Sequence, residues 1–146
     1  MSDAGDAAQL AQRSAEAMWA LDTATRSLGI QLDRVDPGVA VLSMPITETM
    51  VNGHGSCHGG YIFMLADSAF AFACNSFNQK NVAQNCQITF VTPGRLGMRL
   101  VAEARMRQRG ERSGIYDVTV RSDAGDIIAE FRGHSRAIPG THIPEH

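Results

Sequence analysis

The sequence predicts an α+β fold in which a single antiparallel sheet wraps one long central helix, with a further helix at the N-terminus. Three observations carry that reading. In the stretch 61–78, Ile62, Leu65, Ala69, Phe72 and Ala73 lie on one helical face while Phe63, Phe70 and Cys74 lie on another. A helix apolar all round belongs in an interior. Beyond residue 80 the apolar pattern changes from helical spacing to alternation, in four stretches separated by turn residues. A sheet of antiparallel strands has one face to cover, and one apolar helix covers it.

Taken in order, residues 1–6 read as a frayed tail. Leu10, Ser14, Ala17, Met18, Leu21, Ala24 and Leu28 recur at helical spacing and predict an amphipathic first helix, closed by Gly29. A short strand over 30–33, a turn at Pro37-Gly38 and a second strand over 39–46 follow. A glycine-rich loop from Asn52 leads into the apolar helix. Strands are predicted over 82–91, 98–108, 114–121 and 127–138, with turns at Thr92-Pro93-Gly94, Arg109-Gly110-Glu111 and residues 123–126. In the second of these Leu100, Ala102, Ala104 and Met106 alternate inward against Glu103, Arg105 and Arg107. Residues 139–146 read as a tail. The 146 residues form one domain, its core over about 15–138, with no internal repeat.

Composition narrows the function. A formal charge of −2 argues against a general nucleic-acid binder. Nine arginines against six acids fall in 95–136, a bias that fits the solvent face of strands or an anionic ligand. Three cysteines at irregular spacing fit a reducing compartment, and the acidic start MSDAGDAAQL lacks a signal-peptide core, so the protein is expected to be cytoplasmic. Asp67, Ser68, Asn75 and Ser76 interrupt the apolar helix too often for a membrane span.

Asp67 is the only charged residue between His58 and Lys80. Charge in such surroundings is costly unless it is hydrogen-bonded or used. Burial should raise its pKa and donors at the helix entry or from Asn52 should lower it, with donors prevailing enough to keep it ionised at neutral pH. Gly53, Gly55, Gly59 and Gly60 surround the helix start, where free N–H groups can bind an anion or a developing oxyanion. Asn52 offers a neutral amide to orient a carbonyl or a water, and Asp67 a base or nucleophile. This set suits acyl transfer to water from a thioester, whose thiolate leaves without a strong acid. His54, Cys57 and His58 make no complete zinc spacing, so no metal is expected. Adjacent Cys57 and His58 point apart, which disfavours a nucleophilic dyad.

The string NGHGSCHGGYIFMLADSAFAFACNS resembles the signature of the hotdog-fold thioesterases of the phenylacetic-acid-degradation (PaaI) type. TPG at 92–94, RGERSGIYDV at 109–118 and FRGHSR at 131–136 add to it. The resemblance covers roughly residues 15–138. It implies hydrolysis of acyl-coenzyme A thioesters, with phenylacetyl and ring-hydroxylated phenylacetyl groups typical, in phenylacetate degradation. It implies no cofactor, coenzyme A being part of the substrate. Catalytic roles fall on Asp67, Asn52 and Gly59, the last as the amide that polarises the carbonyl. His58 and Gly60 of the same motif, with Arg109, Arg112 and Arg136, are the substrate-binding candidates, and Arg95 is a further basic residue for the coenzyme phosphates. Other branches place a hydroxyl residue on the strand after the helix; here the neighbourhood is Gln84-Asn85-Cys86.

Two other readings remain open on the same fold: a hydroxyacyl-thioester dehydratase using His54 or His58 with Asp67, and a non-catalytic acyl-coenzyme A regulator. One geometric consequence precedes any structure. Gly59 and Asp67 are 67 − 59 = 8 residues apart, about 12 Å along a helix axis. One carbonyl cannot meet both on one helix, so the site is expected to be shared between two chains. The resemblance agrees, since such enzymes are dimers or dimers of dimers.

Overall fold

The computed structural model describes residues 3–144. Helix α1 spans Asp3–Leu21 and α2 Thr23–Ser27; strands β1 (Gln31–Asp36) and β2 (Val39–Pro45) precede helix α3 (Gly59–Cys74). Strands β3 (Asn81–Phe90), β4 (Arg99–Arg109), β5 (Ser113–Ser122) and β6 (Ile127–Ala137) complete the chain. All six strands lie in one antiparallel sheet, ordered β1-β2-β4-β5-β6-β3, so β1 and β3 are its edges. This is the hotdog architecture expected from the sequence. None of the described helices is long and apolar enough to cross a membrane.

The sheet curls around α3, which buries Ile62, Leu65, Ala66, Ala69, Phe72 and Ala73 against it. From the sheet, Leu42, Met44, Leu100, Ala102, Ala104, Val118 and Val120 fill the other side of that core. Helix and sheet approach closely at Gly133. A Cβ built there would stand 2.8 Å from three ring carbons of Phe70, itself packed between Tyr116 and Phe131 at centroid distances of 5.8 Å each. The outer face of the sheet is charged. Asp117 takes a two-pronged bond from Arg132 at 2.6 and 2.8 Å and a looser ion pair from Arg107. Most of the arginine bias is thus solvent-facing.

Several expectations need correcting. Residues 3–6 belong to α1 rather than to a tail, while residues 1–2 lie outside those described. The first helix does not run on to Leu28. It breaks after Leu21 because the Asp22 carboxylate caps a new helix, accepting from Thr25 N–H at 2.9 Å and Thr25 Oγ1 at 2.7 Å. The buried face of α1 is therefore Ala11, Ser14 and Ala15, and Leu21 is 86% exposed. Met106 is exposed, not inward, beside the β4 irregularity at Met106/Gln108. Residues 139–144 are not a loose tail either: Asn78 Oδ1 accepts from the N–H groups of His142 and Ile143 at 2.9 and 3.0 Å, and its Nδ2 donates to Ile143 O.

On the side of β3, α3 is only partly covered. Gly60, Phe63, Met64, Asp67 and Ala71 recur at helical spacing and are only half-buried or exposed. The candidate site lies along this stripe.

Candidate active site

The chain enters α3 through a closed loop. Val51 bridges Cys57, Asn52 N–H donates to Ser56 O at 2.8 Å, and Gly55, at φ +79°, turns the chain between them. The Asn52 side chain holds the same loop together. Its Oδ1 accepts from the N–H groups of His54 (2.9 Å) and Ser56 (3.2 Å). Only an oxygen can accept those bonds, so the orientation of the amide is fixed. Its NH2 group bonds to nothing among the described residues and faces out as a donor.

His58 is the N-cap of α3. Its Nδ1 accepts from Gly60 N–H at 2.9 Å and its carbonyl accepts from Tyr61 N–H at 3.0 Å. The cap leaves one amide over. Gly59 N–H meets no acceptor among the described residues, at the positive end of the helix dipole. Of the candidates in the motif, Gly59 therefore has an amide to offer, whereas that of Gly60 is already used. His58 acts through the helix start.

Asp67 sits two turns further on, half-buried in the partly covered stripe. The structure brings it no donor from Asn52 or the helix entry. Its one side-chain partner among the described residues is Cys86, whose thiol lies 3.9 Å from Oδ1. Loss of hydration by burial pushes the Asp67 pKa up, and the Cys86 thiol offsets only part of this. The expected balance within one chain is thereby reversed: burial prevails over donors. Cys86 in turn is pushed up to about 11, first by burial and then by the neighbouring carboxylate, so it stays a neutral thiol. It lies on β3, the strand that follows the helix. A register shift between Ala83 and Asn85 sets the alternation of β3, so that Cys86, Ile88 and Phe90 pair with Gly133, Phe131 and Ala129 on the helix-facing side. The alternation of those three residues was visible in the sequence; that they follow α3 from Asp67 back to Gly59 was not.

The remaining candidates are dispersed. Arg109 and Arg112 flank the β4–β5 turn, and Arg136 pairs across from Ser113 in the same end of the sheet. Arg109 stacks on the Phe77 ring at 3.9 Å, beyond the C-terminal end of α3. Arg95 lies at the opposite end, bridged to Ser56 near Gly59. Cys57 is buried with its thiol directed at His58 O (3.6 Å), and burial raises its pKa, which suits packing and not nucleophilic attack. Among the described residues no three His, Cys, Asp or Glu side chains gather as a metal site.

This arrangement can be set beside known proteins. The thioesterase superfamily is matched over residues 54–129, from the entry loop into β6. The acyl-coenzyme A thioesterase PaaI of Escherichia coli is 44% identical over 131 residues, covering 90% of this chain and 94% of that one. Its solved structure, described as a protein from the phenylacetic acid degradation operon, superposes with a TM-score of 0.91 over 92% of this chain and 97% of its own. Human acyl-coenzyme A thioesterase 13 is 31% identical over 111 residues, or 73% of this chain and 79% of its own. A mutant of the phenylacetic acid degradation protein PaaI from Thermus thermophilus matches with a TM-score of 0.75 at 32% identity, over 78% of this chain and 97% of its own.

Proposed function

This chain belongs to the thioesterase superfamily and is a thioester hydrolase, and from that premise we propose that it cleaves phenylacetyl- or hydroxyphenylacetyl-coenzyme A to the free acid and coenzyme A. The observation that carries the chemistry is the unpaired Gly59 N–H at the start of a helix whose single carboxylate is Asp67. A thioester oxygen seated about 3 Å from that N–H gains the helix-terminal donor as its charge develops. Asp67 then either removes a proton from the attacking water, or attacks the carbonyl carbon itself to give a mixed anhydride that a water molecule hydrolyses to the free acid, restoring the carboxylate; both require the ionised carboxylate. The carbon–sulfur bond breaks, the electron pair leaves on coenzyme A sulfur, and the thiolate takes up a proton. The NH2 group of Asn52, with its oxygen committed to the loop, serves as a donor to the water or to the carboxylate.

Because Gly59 and Asp67 of one α3 are about 12 Å apart along the axis, the working pair comes from two chains. The partly covered stripe of α3 and the free edge of β3 open on the same side, which suits a two-fold dimer or a dimer of dimers. Support for the aryl-acetyl substrate comes from the E. coli relative and the operon named for its structure. The reaction takes place in the cytoplasm and needs no cofactor on this reading. The test is thiol release from phenylacetyl-, benzoyl-, acetyl- and palmitoyl-coenzyme A. Phenylacetyl thioesters should give the highest kcat/KM. Thiol release fastest from palmitoyl-coenzyme A would refute the substrate; binding without thiol release would point to a regulator, and loss of water from an added 3-hydroxyacyl-coenzyme A without thiol release to a dehydratase.

A further inference from the structure

Phe90 ends β3 with its ring against Gly59. A Cβ built on Gly59 would stand 2.8, 3.1 and 3.3 Å from Cζ, Cε1 and Cε2 of that ring, so the phenyl group meets the helix start tip first. Yet the residue is 52% exposed, and its ring pairs with no other among the described residues. Ile88, two residues earlier on the same face, packs on the core, and Cys86, two before that, touches Asp67. The helix-facing row of β3 thus ends in an aromatic side chain with its flank open beside the free Gly59 N–H.

We propose that Phe90 is a specificity-determining residue, its open flank forming the wall on which the aromatic ring of the acyl group rests. The proposal depends on thioester hydrolysis at Gly59 as described above. Distances support it. With the carbonyl oxygen about 3 Å from Gly59 N–H, the carbonyl carbon and its first substituents lie a bond or two further, within van der Waals reach of a ring that already touches Gly59. An acetyl group ends there and gains little. A phenylacetyl group places its ring one methylene away, where offset or edge-to-face packing on Phe90 becomes possible. Glycine at 59 has a second role in this view: any side chain would displace the ring.

The experiment compares kcat/KM for phenylacetyl- and acetyl-coenzyme A in the wild-type protein, Phe90→Leu and Phe90→Ala. Leucine keeps apolar bulk on the strand and removes the ring. The phenylacetyl value should fall about three- to tenfold in Phe90→Leu and further in Phe90→Ala, while the acetyl value stays within about twofold. Because the readout is a ratio of two substrates on one preparation, partial misfolding of a variant cancels. A preference ratio unchanged by either substitution overturns the role of Phe90 and leaves hydrolysis standing. A wild-type protein that releases no thiol from either substrate overturns the functional reading, and the role of Phe90 with it.

Discussion

The proposal of a site shared between chains can be tested by mixing two inactive proteins. In Asp67→Asn the entry loop and Gly59 are intact and the carboxylate is gone. In Asn52→Asp the reverse holds, and the structure explains why aspartate is preferable to alanine there. The carboxylate still accepts the His54 and Ser56 N–H groups that now bond Asn52 Oδ1 at 2.9 and 3.2 Å, so the loop keeps its shape. What it loses is the NH2 donor, and it sets a negative charge where Asp67 of the other chain must ionise. Each homodimer should then be nearly inactive. In a mixed dimer, the loop of the Asp67→Asn chain meets the Asp67 of the Asn52→Asp chain and makes one wild-type site. Random exchange at equal concentrations makes about half the dimers mixed, and each has one good site of two, so roughly a quarter of wild-type thiol release should return. The assay is thiol release after mild denaturant-assisted exchange, with exchange verified by native mass spectrometry of a tagged pair. Mixed dimers that form and remain inactive would refute the two-chain site.

Other outcomes follow from single contacts. An acid whose pKa is raised in the folded state holds its proton more tightly folded than unfolded. Asp67 therefore contributes stability below about pH 4, and that contribution is lost as pH rises through its elevated folded value. Asp67→Asn should accordingly gain melting temperature over wild type between pH 4 and 7, while the wild-type rate rises over the same range as the carboxylate ionises; a melting difference independent of pH would contradict this. Gly133→Ala must push the Phe70 ring out of contacts near 2.8 Å, costing about 1–3 kcal/mol, less the smaller gain from a stiffer unfolded chain. A thermal melt should show a fall of roughly 3–10 °C, and an unchanged midpoint would mean the core yields freely there. His58→Ala removes the cap on Gly60 N–H and should lower stability by about 0.5–2 kcal/mol. His58→Asn, a good N-cap, should restore most of that in urea denaturation; equal losses would show that the ring does something other than cap.

Much of the candidate site was legible because its residues break local rules. A lone carboxylate in an apolar helix and glycines at a helix start stand out against any background of ordinary packing. Their partners were hidden for the opposite reason. Phe90 reads in the sequence as one more apolar strand residue, and only the strand order, which places β3 at an edge beside α3, leaves it half-exposed at Gly59. Asp22 falls within apolar residues that keep helical spacing from Met18 to Leu28, so the periodicity hides that it caps a second helix. Gly59 and Gly60 are equivalent as letters. Which amide remains free is decided by the reach of the His58 ring, a side-chain geometry with no sequence signature.

The two groups proposed for the chemistry share a further property: each is left unsatisfied by its own chain. Gly59 N–H has no acceptor among the described residues, and Asp67 has lost hydration for a single weak thiol contact. A fold pairs nearly all such groups when it can. Here a fully wrapped helix would have buried them beyond use, and a fully exposed one would have let water compete for both. On the two-chain proposal, a stripe of α3 only partly covered beside an unpaired strand edge would make the missing cover and the missing partner the same object. A second α3 that excludes water from the stripe also brings a carboxylate to an open amide. Exclusion of water then strengthens the attraction of the Gly59 dipole for developing charge. On this account, substitutions of Phe63 or Met64 that loosen the stripe should lower kcat for thiol release, and an unchanged kcat would count against it.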